Sequence, residues 1–365
     1  MAPWPKTVVL CIDGLDPSYI EATPTPAIDD LAAAGYYAVG QAVVPTVTNV
    51  NNVSIVTGTP PNEHGITANY VLDPRTGRET YMESAEFLCR PTILDRARRR
   101  GLSTAALTAK QKLLDLVGQG ADYALCAEAP DAEMVQKLGP PPDIYAPDLN
   151  LWLLKALALL LREQDPDLVY CATTDGMMHR YAPESLESQA HIRGLDVALG
   201  HIAEDAPRHR ILLTADHGMS GKEWGVDLEK ALASGGIVAR AIPIIKDRYV
   251  VHHGNLGGAA YVHLADLGAL DQACALLSEI PGVEEVHPRQ QAADRFQLMA
   301  ERIGDLLVLA DAYTVFGTFE AVRVPVRLRS HGSRHEGAIP ILAYGPEAGG
   351  DYKRNYELTA GLCLG

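Results

Sequence analysis

Four short runs set acidic and imidazole side chains close together. "CIDG" holds Asp13, "TTDGMMH" holds Asp175 and His179, "TADHG" holds Asp216 and His217, and "SHGSRHEG" holds His331 and His335. Carboxylates mixed with imidazoles suit zinc, or less strictly another first-row divalent cation. Six or seven such ligands would fill two sites sharing one substrate. Two cations a few ångströms apart clamp an in-line displacement at phosphorus. Singly, each residue has a plainer reading: an Asp after a strand is commonly a turn or cap residue, and a lone His a surface or satisfied core side chain. The combination departs from that reading, because three separate runs each deliver an Asp and two deliver a nearby His.

A fifth run, "VVPTVTNVNNVSIVTG" (43–58), wedges three threonines and three asparagines between apolar residues. A threonine hydroxyl is a poor nucleophile at neutral pH, but a bound metal lowers the barrier by stabilising the alkoxide. The residues after Thr48 are predicted to begin a helix, which would set positive partial charge beside that oxygen. A metal-bound threonine there is a workable phosphoryl acceptor. The plainer alternative is that Thr48 is only an N-cap.

These residues need elements to converge. Four continuous apolar runs, "TVVLCIDG" (7–14), "DLVYCATTDG" (167–176), "RILLTADHG" (210–218) and "GAIPILAYG" (337–345), read as strands covered on both faces, as in parallel sheets. Helix-like segments lie between them: "DPSYIEATPTPAIDDLAAAG", "RPTILDRARRRG", "LNLWLLKALALLLREQ" and "SLESQAHIRGLDVALGHIAED". Asp16 before Pro17 reads as an N-cap with a first-turn proline. The alternation predicts an α/β, doubly wound, mostly parallel sheet with helices on both faces. Ligands in such sheets gather beyond the carboxyl ends of strands, where Asp13, Asp175, Asp216 and His217 fall. From about 222 to 330 the pattern changes to strand, helix, strand, helix. This predicts a core of residues 1–221 and 331–365 with a smaller α+β insertion at 222–330.

Composition narrows the classes. A formal net charge of −15 over 365 residues disfavours nucleic acid or an anionic membrane surface as partner. The longest apolar run, "LWLLKALALLL", is too short to span a bilayer and contains Lys155. The N-terminus enters a strand within seven residues, leaving no room for a secretory segment. Six cysteines (Cys11, Cys89, Cys126, Cys171, Cys274, Cys363) form no CxxC pair and read as free thiols of a cytoplasmic protein. Oligomeric state stays open, a homodimer included.

The run "PTVTNVNNVSIVTGTPPNEHGITANY" resembles the nucleophile segment of the alkaline phosphatase superfamily, in its nucleotide pyrophosphatase/phosphodiesterase branch. "CIDG", "TTDGMMH", "TADHGM" and "HGSRHEG" match that superfamily's metal motifs in order. The resemblance implies an alkaline phosphatase-like core binding two Zn2+ per chain. Asp13, Thr48, Asp216 and His217 would hold one ion, and Asp175, His179 and His335 the other, leaving His331 without a ligand role. It also selects Thr48 over Thr46 as nucleophile and gives Asn69 an amide contact to a phosphoryl oxygen. No Cys/Ser-x-Pro-x-Arg run is present, which argues against the sulfatases.

"LTAKQKLLDL" puts Lys110 and Lys112 after a predicted strand, one residue apart, so both ammonium groups can lean toward one pocket. With "VVHHGNLGGAAYVHL", this resembles the phosphonoacetate hydrolase family, in which paired lysines hold the substrate carboxylate. The implied reaction cleaves the carbon–phosphorus bond to give acetate and phosphate. Solvated surface lysines are the plainer reading. A dianionic phosphonate bearing a carboxylate, however, needs cations beyond the metals in so acidic a protein. The enzymatic alternative is a phosphodiesterase or phosphomonoesterase with the same metals. A nucleoside pocket would want aromatics, and this chain holds only 6%. The non-enzymatic alternative is a metal-binding protein that keeps the fold without the chemistry. His252 and His253, adjacent in what reads as a strand, would face opposite ways and are taken as structural.

Overall fold

The computed structural model describes residues 4–73 and 76–362, with only the backbone of His252; Cys363 lies outside the described residues. Its largest sheet has seven strands in the order Tyr36–Gln41, Ala338–Tyr344, Arg210–Thr214, Thr7–Cys11, Leu168–Ala172, Thr104–Thr108 and Tyr123–Cys126. Thr7–Cys11 runs parallel to both neighbours, Leu168–Ala172 and Arg210–Thr214. Ala338–Tyr344 is antiparallel to both of its own. Every residue of Thr7–Cys11 and Leu168–Ala172 is buried. Successive side chains point to opposite faces of a sheet, so helices must cover both, as the unbroken apolar runs predict.

Helices Leu149–Gln164 and Leu186–Asp205 form as read and pack against each other, with Lys155 exposed. The segment read as one helix over 16–35 is instead two, Pro17–Glu21 and Pro26–Ala34. Pro24 and Pro26 are the cause, because a proline lacks the N–H an interior turn needs. Asp16 caps the first helix by accepting from the Ser18 N–H at 2.9 Å. Five cysteines are described and all are free; Cys11, Cys126 and Cys171 are buried, while Cys89 is exposed.

Within 222–330 lies a second sheet, antiparallel, in the order Ala239–Pro243, Ala259–Leu264, Leu306–Ala310 and Val283–Pro288. Its alternation divides two apolar clusters. Ala260, Val262, Leu306 and Val308 pack with Leu228, Leu232 and Leu277 from the helices behind it. Ala259, Tyr261, Leu307 and Leu309 join the main core. The sheet is therefore sandwiched, not hung on a linker. Strands Ser220–Val226 and Arg323–Ser330 pair antiparallel and carry the chain out and back.

Candidate active site

Three strands end beside one another and deliver three carboxylates: Asp13 after Thr7–Cys11, Asp175 after Leu168–Ala172, and Asp216 after Arg210–Thr214. All three are buried. Gly14 makes the turn after Asp13 at φ 75°, and its N–H donates to Asp216 Oδ1 at 3.1 Å. A Cβ there would lie 3.0 Å from that of Asp175, so the glycine in "CIDG" both turns the chain and admits the neighbour. Burial, then the charges of Asp175 and Asp216, push the Asp13 carboxyl well above the ordinary range. Burial foremost raises Asp216 to about 7. Asp13 Oδ1 accepts no hydrogen bond among the described residues. Three buried, mutually repelling carboxylates with an unused oxygen are what a cation would relieve.

The histidines point the same way. His217 Nδ1 lies 2.9 Å from the Gly218 carbonyl oxygen, His179 Nδ1 2.8 Å from that of Arg329, and His331 Nδ1 2.7 Å from that of Thr46. A carbonyl only accepts, so each Nδ1 must carry the proton. In a neutral ring Nε2 then presents a lone pair, as at His331, while at His179 Asp175 outweighs the effect of burial and raises the imidazole, which a cation between the two would reverse. Those lone pairs face oxygens. His217 Nε2 is 3.4 Å from Asp13 Oδ1 and 3.6 Å from Asp216 Oδ2. His179 Nε2 is 2.8 Å and His331 Nε2 3.6 Å from Asp175 Oδ2. The His217 and His331 rings stack with centroids 3.5 Å apart. Burial, with His217 and His179 alongside, holds His331 well below the usual imidazole range, and so neutral. Acceptors converging on acceptors fit cations between them. Two ligand-atom groups lie close enough to hold an ion, Asp13 with Asp216 and His217, and Asp175 with His217 and His331.

Thr48 is the first residue of helix Thr48–Thr57, with Val47 at the cap position, so its hydroxyl is not spent on capping. Its Oγ1 lies 3.4 Å from His217 Nε2. Thr46 does different work. Its Oγ1 donates to the Ser333 carbonyl oxygen at 2.6 Å and accepts from the Gly332 N–H at 3.0 Å, clasping this segment to the His331 loop. Asn52, one turn along the helix, donates to Asp216 Oδ2 at 3.0 Å and accepts from the Tyr170 hydroxyl at 2.7 Å. Asn69 is buried, and its Oδ1 accepts from the Asn49 N–H at 3.4 Å, against the helix's first turn.

Lys110 and Lys112 are buried rather than solvated. Lys110 Nζ lies 3.7 Å from Asp175 Oδ1, and Lys112 pairs with Asp247 from the insertion. Burial would lower the Lys110 ammonium, but the surrounding aspartates, Asp175 first, outweigh it and hold the group raised and charged.

His335 is not brought to the cluster. It is exposed, and its Nε2 bonds Glu284 at 2.6 Å. The loop after Arg323–Ser330 instead turns inward at His331. Sequence reading missed this because both histidines lie in one short motif. What fixes the turn is Glu336, fully buried, whose carboxylate accepts from Lys222 at 2.8 Å, Ser220, the Ser333 N–H and the Ser333 hydroxyl. Glu336 in "SRHEG" carries no local sign of its burial, because Ser220 and Lys222 lie more than a hundred residues away in the chain. His252 and His253 lie in helix Val250–His253, not a strand. His253 Nδ1 accepts from the Asn255 N–H at 3.0 Å, which leaves Nε2–H to donate to Asp247 at 3.1 Å.

Residues 7–334 match the type I phosphodiesterase / nucleotide pyrophosphatase family. The chain is similar to phosphonoacetate hydrolase from Sinorhizobium meliloti 1021, solved with phosphonoacetate: 33% identity, 99% of this chain and 96% of that one covered, TM-score 0.90. The same enzyme solved with phosphonoformate gives 32%, 99%, 96% and 0.89. Murine ectonucleotide pyrophosphatase / phosphodiesterase 5 shares the fold at 20% identity, covering 98% of this chain and 94% of that one, with a TM-score of 0.72.

Proposed function

Because the chain belongs to the type I phosphodiesterase / nucleotide pyrophosphatase family, whose members are hydrolases, we propose that it cleaves the carbon–phosphorus bond of phosphonoacetate to acetate and phosphate. The observation that carries this reading is the buried pair Lys110 and Lys112 beside the carboxylate–imidazole cluster. A phosphate ester needs no second cationic pocket there; a substrate with a carboxylate next to its phosphonate does. The similarity to the Sinorhizobium meliloti enzyme solved with phosphonoacetate supports the same substrate.

Two zinc ions fit the donor set. Asp13, Thr48, Asp216 and His217 would hold one, and Asp175, His179 and His331 the other, with His331 taking the place first given to His335. When bound, such ions supply Lewis acidity to a phosphoryl oxygen and depress the pKa of a coordinated hydroxyl. The chain does the rest. Thr48 Oγ1, having given its proton to water, attacks phosphorus as the C–P bond breaks, and the electron pair leaves on the acetate carbon, delocalised into its carboxylate. Lys110 and Lys112 hold that carboxylate and oppose the charge growing on it. The Asn69 amide donates to an equatorial phosphoryl oxygen. The carbon takes a proton from water, and a second water hydrolyses the phosphothreonine, restoring the Thr48 hydroxyl and freeing phosphate. Residues 1–221 and 331–365 would form the catalytic core, with 222–330 as the lobe closing the substrate's carboxylate end.

A second reading, hydrolysis of a phosphate diester, has the family's own name in its favour. Turnover of phosphonoacetate against a nitrophenyl phosphodiester, at matched zinc-loaded enzyme, separates the two. Preference for phosphonoacetate is expected; exclusive diester activity would overturn the assignment.

A further inference from the structure

The two lysines sit in an arrangement that something must enforce. Both side chains are buried and both ammonium groups lie about 5 Å from one aromatic ring, and like charges brought near each other in a poorly solvated pocket repel. Tyr249, from the insertion, lies against both: Lys110 Nζ is 5.0 Å and Lys112 Nζ 5.1 Å from its ring centroid. Cations over an aromatic face are attracted by the ring quadrupole, most strongly when desolvated. The ring is itself fixed at both ends. Its hydroxyl donates to the Glu128 carboxylate at 2.8 Å, and Glu128 also accepts the backbone N–H of Gln111, the residue between the lysines, at 2.7 Å. Its backbone N–H donates to Asp247 Oδ1 at 2.7 Å, and Asp247 pairs with Lys112 and accepts from His253.

Resting on the reading of the lysines as the carboxylate grip, we infer that Tyr249 is a positioning residue for substrate specificity. Its ring aligns Lys110 and Lys112 toward one carboxylate, so selection for a carboxylated phosphonate is set by the insertion and not by the metal core alone. Asp247 beside Lys112 and Asp175 beside Lys110 supply the neutralising charges that let two buried cations coexist.

The test uses zinc-loaded enzyme, with KM for phosphonoacetate and the inhibition constant of inorganic phosphate, which has no carboxylate. Tyr249→Leu is expected to raise KM for phosphonoacetate about tenfold, the order of one desolvated cation–π contact. Its phosphate inhibition constant should stay within about twofold, which also reports an intact fold and metal site. Tyr249→Phe keeps the ring and should recover most of the affinity. If Lys110→Ala and Lys112→Ala raise KM for phosphonoacetate selectively while Tyr249→Leu does not, the inference fails alone. If the lysine variants weaken phosphonoacetate and phosphate equally, the carboxylate grip fails and takes the inference with it.

Discussion

At the scale of single residues, the proposed ligand set rests on which ring nitrogen faces the carboxylates. His179, His217 and His331 each commit Nδ1 to a backbone carbonyl and aim Nε2 at carboxylates, whereas His253 commits its pair the other way and the His335 ring faces Glu284. The sequence carries residue types and spacing, which made Asp13, Asp175, Asp216 and His217 legible. It does not carry which of two histidines four apart turns inward. His331→Ala should therefore lower metal affinity more than about 100-fold, beyond the effect of losing an outer hydrogen-bond partner, while His335→Ala leaves it unchanged; chelator competition reads both. The reverse order would restore His335. Thr48 poses a similar contrast with Thr46. Thr48→Ala should cut kcat by about 10^3 or more, the scale of nucleophile loss elsewhere, with zinc content retained by elemental analysis. A near-normal rate would mean the nucleophile is misplaced.

At the scale of elements, a short loop carries His331 between a returning strand and the strand Ala338–Tyr344, and its shape depends on one buried ion pair. Glu336 and Lys222 are both fully buried, and burial's upward push on Glu336 is outweighed by Lys222 and the hydroxyl donors, leaving the carboxyl below its usual range. Removing one partner leaves a buried charge alone. Glu336→Ala should cost about 3–5 kcal/mol in denaturant unfolding; a loss under about 1 kcal/mol, the range of an exposed pair, would show the pair to be incidental. Strands Thr7–Cys11, Leu168–Ala172, Arg210–Thr214 and Ala338–Tyr344 were legible from apolar runs, because burial on both faces writes itself into continuous hydrophobic sequence, whereas the part-exposed edge strands Tyr36–Gln41 and Tyr123–Cys126 were not. The break at Pro24–Pro26 was legible too, had each proline been weighed as a helix terminator. The Glu336 anchor was not, since its partners lie up to 116 residues away.

At the scale of the whole molecule, the antiparallel sheet within 222–330 is bound to the seven-stranded part by its second apolar face and by ion pairs to it. Arg240 bonds Glu79 at 2.7 Å, and Lys246 reaches the same carboxylate at 3.2 Å. The hydrogen bond from Arg240, foremost, lowers Glu79 to about 2. A depressed folded-state value means its stabilisation is present above the unfolded value near 4.3 and is lost as pH falls toward 2. In chelator-treated protein, Glu79→Gln should lower the melting temperature by about 2–4 °C at pH 6, with the gap narrowed at pH 3 and closing toward pH 2. An equal gap at both values would exclude the charge as the cause. The acidic surface and the buried cations serve different ranges: the net charge of −15 sets long-range repulsion of anions, while in the proposed reading Lys110, Lys112 and the metals would act only at contact. The most direct measurement is product analysis by phosphorus and carbon NMR after zinc-loaded protein meets phosphonoacetate. Stoichiometric acetate and phosphate, lost in Thr48→Ala, is the predicted result; intact phosphonoacetate beside a freely hydrolysed phosphodiester would contradict it.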